Sequence, residues 1–512
     1  MQKLKTYSGI EFPAFNYGKI LSNCFTLFLT LFINIGYSQS LDFDALYASD
    51  GNSNDSYGDA IDIYGDYIIV GASTKSTNLY EVGAVYIYKR GTDGSWSEIQ
   101  KLLPSDPLSN LNYGVSVSIY EDNLAVGAYG SSHAGPNSSG AVYLYSENEN
   151  GIWVEDTILT ASDAQSFHGF GWSLDLYANR LVIAAPGDNE EVELSGAVYV
   201  YAQDIDGVWN QEYKLKAASP QATGLFGHAV QLDEDNLAVV SLKSWTFYGL
   251  NIYTLDNSGE WINEQVIVDY AQGINWGYGN AQNLAGNELV IASDFYGKVK
   301  VFEKNLNGIW EFKQEIEEPQ SNGSIGFATS VCLTKDYLFI SNQEKLINGV
   351  NSGVVYQYTK DETGLWSNVE LLSSTEASTG ALFGNTIAAK GEQLVISAPE
   401  DDLNGIVQGA VYTRSLNPIT NTNVLNLDQT MLYQNTPNPF TDETIISFEL
   451  EEAAVAEIRI TDLNGKLVRI LKQEFAKGFN SVTIRDINTF GILYYTLVVG
   501  DFAATKKMVI IE

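Results

Sequence analysis

His133, His168 and His228 are the only imidazoles in the 512-residue chain, and imidazole is the side chain best suited to bind a metal or move a proton near neutral pH. Either task requires the rings to converge within coordination or hydrogen-bond reach. These three stand in different copies of a repeat, where neighbouring copies splay them apart. No H-E-x-x-H pair, G-x-S-x-G elbow, Walker loop or dinucleotide fingerprint accompanies them. The sequence therefore predicts solvated loop histidines, with no catalytic residue, no metal and no cofactor. The acidic loops PGDNEE (186–191) and PEDD (399–402) are cation ligands in principle, but solvated loop ends are the simpler expectation. Aromatic side chains are the better candidates. Trp245, Phe247 and Tyr248 fall in one loop, Trp276 and Tyr278 enter the next copy, and Phe295 and Tyr296 follow in its loop. Such rings stack on sugars or anchor a protein partner, so these are the candidate ligand-binding residues.

What must position them is a strand written again and again. VGAVYIY ends at Tyr88, SGAVYLY at Tyr145, SGAVYVY at Tyr201, and the looser SGVVYQY and QGAVYTR at Tyr358 and Arg414. Alignment on this strand exposes a larger unit that opens with an aromatic-glycine marker at Gly58, Gly114, Gly171, Gly227, Gly279 and Gly384. A sixth copy, IGFATSV, places Phe327 where the glycine is expected. Successive markers lie 48 to 57 residues apart, the range of a propeller blade or a large solenoid turn. A second strand follows each marker (IIVGAS, LAVGAY, LVIAAP), and a fourth begins at Gly-x-Trp, with Trp96, Trp153, Trp209, Trp261, Trp310 and Trp366.

The fourth strand is missing from the last copy, and its counterpart lies at the other end of the chain. ALYASD, residues 45–50, matches the ILTASD that ends the fourth strand of the second copy. An open solenoid has no use for that permutation, whereas a ring does, because the N-terminal strand then pairs beside the last third strand and removes an exposed edge. The expected fold is all-β: a seven-bladed β-propeller over 41–416 closed by its own N-terminus. Strand order puts the longer loops on one face and the tight turns on the other, and recognition is expected on the long-loop face.

The marker followed by VGAS, VGAY, IAAP or ISAP resembles the FG-GAP repeat family, known from integrin α-chain heads and from bacterial exported proteins. The resemblance implies calcium in the turns between first and second strands. Here those turns read YGDY, YEDN, YANR, DEDN, AGNE, TKDY and KGEQ, too short and too poor in spaced oxygens to wrap the ion. Calcium is therefore not expected.

A formal charge of −35, from 63 acids against 28 bases, opposes binding to nucleic acid or to an anionic membrane. Cys24 and Cys332 form no metal or redox motif, and Cys332 is expected in the core. Residues 1–38, with Lys3, Lys5 and Lys19 before the apolar run CFTLFLTLFINI, read as a signal peptide, leaving no transmembrane segment in the mature chain. Export is expected.

After a polar linker (417–431), residues 432–512 show short alternating strands and glycine turns, the pattern of a small β-sandwich. NTPNPF (435–440), DLNG (462–465), a Gly-to-Tyr strand and the terminal Lys507-Met508 resemble the type A sorting domain of the type IX secretion system of Bacteroidetes. The resemblance implies that this domain is an address read by the type IX machinery and then removed, placing the propeller outside the cell or on its outer surface. The expected function is non-enzymatic binding or adhesion to a glycan or protein. The alternative is an extracellular polysaccharide lyase or hydrolase on the same scaffold.

Overall fold

A computed structural model of the chain describes residues 43–133, 137–243, 246–267, 282–293, 297–319, 326–347, 350–374, 377–403, 405–416, 431–432, 435, 438, 440–441, 443–450, 453–462, 466–485, 487, 490–500 and 502–510. Residues 1–38, read as a signal peptide, lie outside these, as do most of the linker. Between Phe43 and Leu416 the described residues form seven four-stranded antiparallel sheets.

The burial of each strand follows from its place in its sheet. Second and third strands, such as Tyr67–Ala72 and Ala84–Arg90, are covered on both faces and read as nearly unbroken apolar runs. First strands alternate, as in Leu174–Tyr177. Fourth strands, such as Trp96–Leu102, form the outer edge and keep charged residues on their wet face.

Each joint between consecutive sheets holds one apolar cluster. Ile69, Val85 and Ile87 meet Leu124, Val126 and Tyr143 across the first joint. Ile68 and Val70 meet Leu46, Val395 and Val411 across the last, so the seventh sheet packs on the first. The strand Asp44–Leu46 pairs antiparallel with Ala410–Ser415, with Asp44 opposite Thr413 and Leu46 opposite Val411. The ring thus closes through the N-terminal strand, as the permuted repeat predicts.

The recurring third strand keeps its leading glycine because that residue touches the next sheet. Gly140 has φ +90° and bridges Phe170, and a Cβ there would lie 2.0 Å from the Phe170 carbonyl oxygen. Gly83 and Gly196 meet Tyr113 and Phe226 in the same way. The marker aromatics then lie edge-on to the third-strand tyrosines, Tyr57 on Tyr86 at 5.5 Å and Phe170 on Tyr199 at 5.3 Å.

The sixth copy departs from the sequence expectation. Phe327 is the marker aromatic, edge-on to Tyr356 at 5.6 Å. Ala328, at φ +71°, occupies the glycine's place. The marker has shifted by one residue and accepts a left-handed alanine, a conformation that costs a side-chain-bearing residue about 1 kcal/mol.

The repeated tryptophans anchor the outer strands: Trp153, Trp310 and Trp366 are buried. Their backbones are gripped from the preceding sheet. Gln100 accepts from Trp153 N at 2.9 Å and donates to its carbonyl at 2.7 Å, and Gln265 and Gln314 do the same to Trp310 and Trp366.

The C-terminal domain packs a three-stranded sheet and a four-stranded sheet around Phe448, Ile458, Tyr495 and Met508. Its opening NTPNPF motif is pinned to the last strands. Asn435 N donates to the Tyr495 hydroxyl at 2.7 Å, and Asn438 Oδ1 accepts from Val509 N at 2.7 Å.

Candidate functional site

The first strands surround the ring's axis, and the fourth residue after each marker points along it. In chain order these are Asp62, Ser118, Asp175, Gln231, Asn283, Cys332 and Ala388. The polar members link one sheet to the next. Asp62 Oδ2 accepts from Ile119 N at 2.8 Å, Ser118 Oγ from Leu176 N at 3.1 Å, Asp175 Oδ2 from Leu232 N at 2.7 Å, and Asn283 Oδ1 from Leu333 N at 3.0 Å. Gln231 joins the belt by donating to Asp175 at 3.0 Å and accepting from Asn283 at 3.1 Å.

Ser118 Oγ lies 3.2 Å from both Asp62 Oδ2 and Asp175 Oδ1. It has one proton to donate and two carboxylates to serve. Burial raises Asp62 to about 6 against the lowering effect of its backbone donors. Burial raises Asp175 to about 7, with the nearby Asp62 carboxylate adding to the rise. At the same level, burial pushes the Cys332 thiol up to about 12, which leaves it protonated and inert.

From this belt a cavity of about 490 Å³ extends toward the tight-turn end. Two residues beyond the belt, the last positions of the first three first strands are Tyr64, Tyr120 and Tyr177. Their rings form a continuous wall, with centroids 4.7 Å apart between Tyr64 and Tyr120 and 5.1 Å between Tyr120 and Tyr177. Lys390 Nζ lies 5.7 Å from the Tyr64 ring centre. Across the cavity the same position is Asp233, Ala285 and Thr334. The arrangement offers an apolar wall, a polar floor and two flanking cations, Lys335 and Lys390.

The cavity lies at the end opposite the one expected to carry recognition. The tyrosines stand inside the very turns read for calcium, YGDY, YEDN and YANR. The signal missed was the column that these residues form when the repeats are stacked.

The histidines occupy separate contacts. His133 Nδ1 lies 2.6 Å from Asp106 Oδ2 and remains 39% exposed. His168, expected in solvent, is buried with its Nδ1 3.5 Å from the buried Asp188 Oδ2. His228, also expected in solvent, is buried beside Trp172 at 5.9 Å, because the long loops fold inward over the ends of the second strands.

The acidic loops are tied to their own blades. Lys214 pairs with Asp188 at 2.8 Å and Glu190 at 2.7 Å, while Lys216 pairs with Glu191 at 3.0 Å. Asp401 accepts from the Tyr412 hydroxyl at 2.5 Å and from Ser378 N at 2.8 Å.

Of the sequence-predicted aromatic site, Trp245, Trp276, Tyr278, Phe295 and Tyr296 lie outside the described residues. Phe247 and Tyr248, expected in a loop, belong to the strand Thr246–Leu255, where Phe247 is opposite Leu242 and the register slips beside it.

Comparison with known proteins follows the same division. The FG-GAP repeat model matches residues 42–88, 96–145, 153–201 and 366–413, and the secretion system C-terminal sorting domain model matches 436–512. The chain carries FG-GAP repeats and a secretion system C-terminal sorting domain. The matched FG-GAP segments run from a fourth strand to the third strand of the following sheet, the permutation that closes the ring. Residues 202–365, which hold most of copies four to six, fall outside the match. The sorting domain marks a Bacteroidetes protein bound for the cell surface or the extracellular space. Among the described residues no helix is long and apolar enough to cross a membrane.

No curated protein matches the chain significantly. Similar solved structures include a candidate 6-phosphogluconolactonase from Bacteroides uniformis, at 11% identity and TM-score 0.44, covering 64% of this chain and 88% of that one. Another is a periplasmic gluconolactonase from Pseudomonas aeruginosa, at 12% identity and TM-score 0.41, covering 79% of this chain and 95% of that one. Likenesses this slight carry no activity over.

Proposed function

We propose that the FG-GAP propeller is a non-enzymatic binding module that takes a glycan or protein ligand outside the cell. In this proposal residues 1–38 are removed on export, 41–416 do the work, 417–431 are a linker, and 432–512 are read by the type IX machinery and then removed. The supporting observation is the axial cavity. It has an aromatic wall, and its deep carboxylates already accept backbone N–H groups from neighbouring sheets, which makes them part of the ring's fastening. Trp245, Phe247, Tyr248, Trp276, Tyr278, Phe295 and Tyr296 are proposed as a further contact surface. The test is binding of the full chain to a glycan array and to extracellular matrix proteins. No binding to either defeats the proposal, and unchanged binding after Trp245→Ala and Trp276→Ala removes the second surface from it.

A hydrolase is the second possibility, favoured by Asp62 and Asp175, two carboxyls with raised pKa values on one cavity floor. Release of reducing ends from a polysaccharide, abolished by Asp175→Asn, would establish it. A lyase acting on uronates fits less well, because Asp62, Asp175, Asp233 and Asp336 outnumber Lys335 and Lys390 along the cavity lining and disfavour a carboxylated substrate.

A further inference from the structure

The position held by Tyr64, Tyr120 and Tyr177 is structurally permissive. The same strand end, with the same pairing to the second strand, carries Asp233, Ala285 and Lys390 in three of the other sheets, and in the sixth the equivalent Thr334 lies one residue past the strand. Packing therefore does not demand a large ring there, yet three consecutive sheets supply one, and all three line the cavity. Their centroid spacings of 4.7 and 5.1 Å make a wall rather than an open cage, so the surface suits a flat apolar face better than a compact cation. The cavity's size of about 490 Å³ falls within the range for small-molecule sites, about 300–1,000 Å³.

We propose that this axial cavity is a saccharide site, taking an uncharged sugar unit with its C–H face on Tyr120 and its hydroxyls toward Asp62, Ser118 and Asp175. The assignment rests on the binding function above and narrows it to a ligand class and a place. Hydroxyl groups match this end because the Asp62 and Asp175 carboxylates on the floor accept while Lys390, beside Tyr64, donates. Uncharged sugars are selected because Asp62, Asp175, Asp233 and Asp336 outnumber Lys335 and Lys390 along the cavity lining, which opposes uronates and sulfated sugars. Tyr64 and Tyr177 flank the stacked ring and exclude water from its edges.

The test is saturation-transfer NMR and calorimetry on the full chain with cellotriose, mannotriose, chitotriose and trigalacturonate. At least one neutral trisaccharide is expected to bind and trigalacturonate is not. Tyr120→Ala is expected to weaken binding tenfold or more and Tyr120→Phe by less than threefold, while Ile205→Ala, on a fully exposed outer turn, leaves it unchanged. Should Tyr120→Ala perturb folding, Tyr177→Ala is expected to weaken binding at least threefold. Binding insensitive to Tyr120→Ala and Tyr177→Ala overturns the site while leaving glycan binding intact. Failure of all three neutral sugars, or preference for trigalacturonate, overturns the ligand class. If the chain still captures a matrix protein, the broader binding function survives that result.

Discussion

Replacing Asp175 by Asn isolates the electrostatic cost of the axial belt. In the folded ring the carboxyl titrates near 7, raised chiefly by burial, against a reference value of 3.8. Because the folded pKa lies above the unfolded one, between about pH 4 and 7 the native chain holds a proton that the unfolded chain has lost, and stability falls as pH rises. A rise of about 3 units corresponds to a ceiling of about 4 kcal/mol. The carboxyl faces a water-accessible cavity and shares the Ser118 hydroxyl, so about 1–2 kcal/mol is the expected effect. Asparagine preserves most of the geometry. Its oxygen accepts from Leu232 N, its amide donates to Ser118 Oγ, and Leu176 N keeps Ser118 as an acceptor at 3.1 Å. Urea unfolding followed by tryptophan fluorescence reads the propeller alone, since all nine tryptophans precede the sorting domain. Relative to wild type, Asp175→Asn should gain about 1–2 kcal/mol between pH 4.5 and pH 8. A difference between the two proteins that is the same at both pH values, or more unfavourable at pH 8, would refute burial as the source of the raised pKa.

Three substitutions test the ring itself. Ala328→Gly should stabilise the propeller by about 0.5–1 kcal/mol, because it relieves a left-handed alanine, and an unchanged or lower urea midpoint would contradict the shifted marker. Gly140→Ala should cost about 2–4 kcal/mol, since its Cβ would strike the Phe170 carbonyl; a variant as stable as wild type would mean that the sheets approach less closely. Leu46→Ala should cost about 2–3 kcal/mol by emptying part of the joint between the last and first sheets. Full stability in that variant would show that the N-terminal strand does not hold the ring closed.

The repeat made the scaffold legible because each strand's composition answers a local demand: apolar runs where both faces are covered, alternation at the axis, and glycine where a backbone crosses. Even the permuted closure could be read, since ALYASD repeats the end of an ordinary fourth strand. The axial site was hidden by the same regularity. Asp62, Ser118 and Asp175 each look like the polar member of an alternating strand, and only their stacking at one level, 56 and 57 residues apart, makes them neighbours. Tyr64, Tyr120 and Tyr177 pass as turn-flanking aromatics for the same reason. The glutamine clamps were missed because Gln100, Gln265 and Gln314 act on another sheet's backbone, which no local pattern records. The histidines misled because loops were taken as solvated, whereas His168 and His228 fold under them.

The belt also explains why the ring needs its N-terminal strand. From the first sheet to the sixth, each axial side chain is polar or, at Cys332, a weak acceptor. In the seventh sheet the position is Ala388, which has no acceptor to give the first sheet. Fastening at that joint moves to other places. Thr386 Oγ1 donates to Asp59 O at 3.0 Å near the axis, and Asp44–Leu46 supplies the fourth strand at the perimeter. The joint between the chain's two ends is therefore held from both sides by contacts between residues more than 300 positions apart. Such contacts carry the largest loop-closure cost in folding and form only when the intervening sheets are in place. The strand at 44–46 therefore finds its partner only in the last of the seven sheets along the chain, Ala410–Ser415.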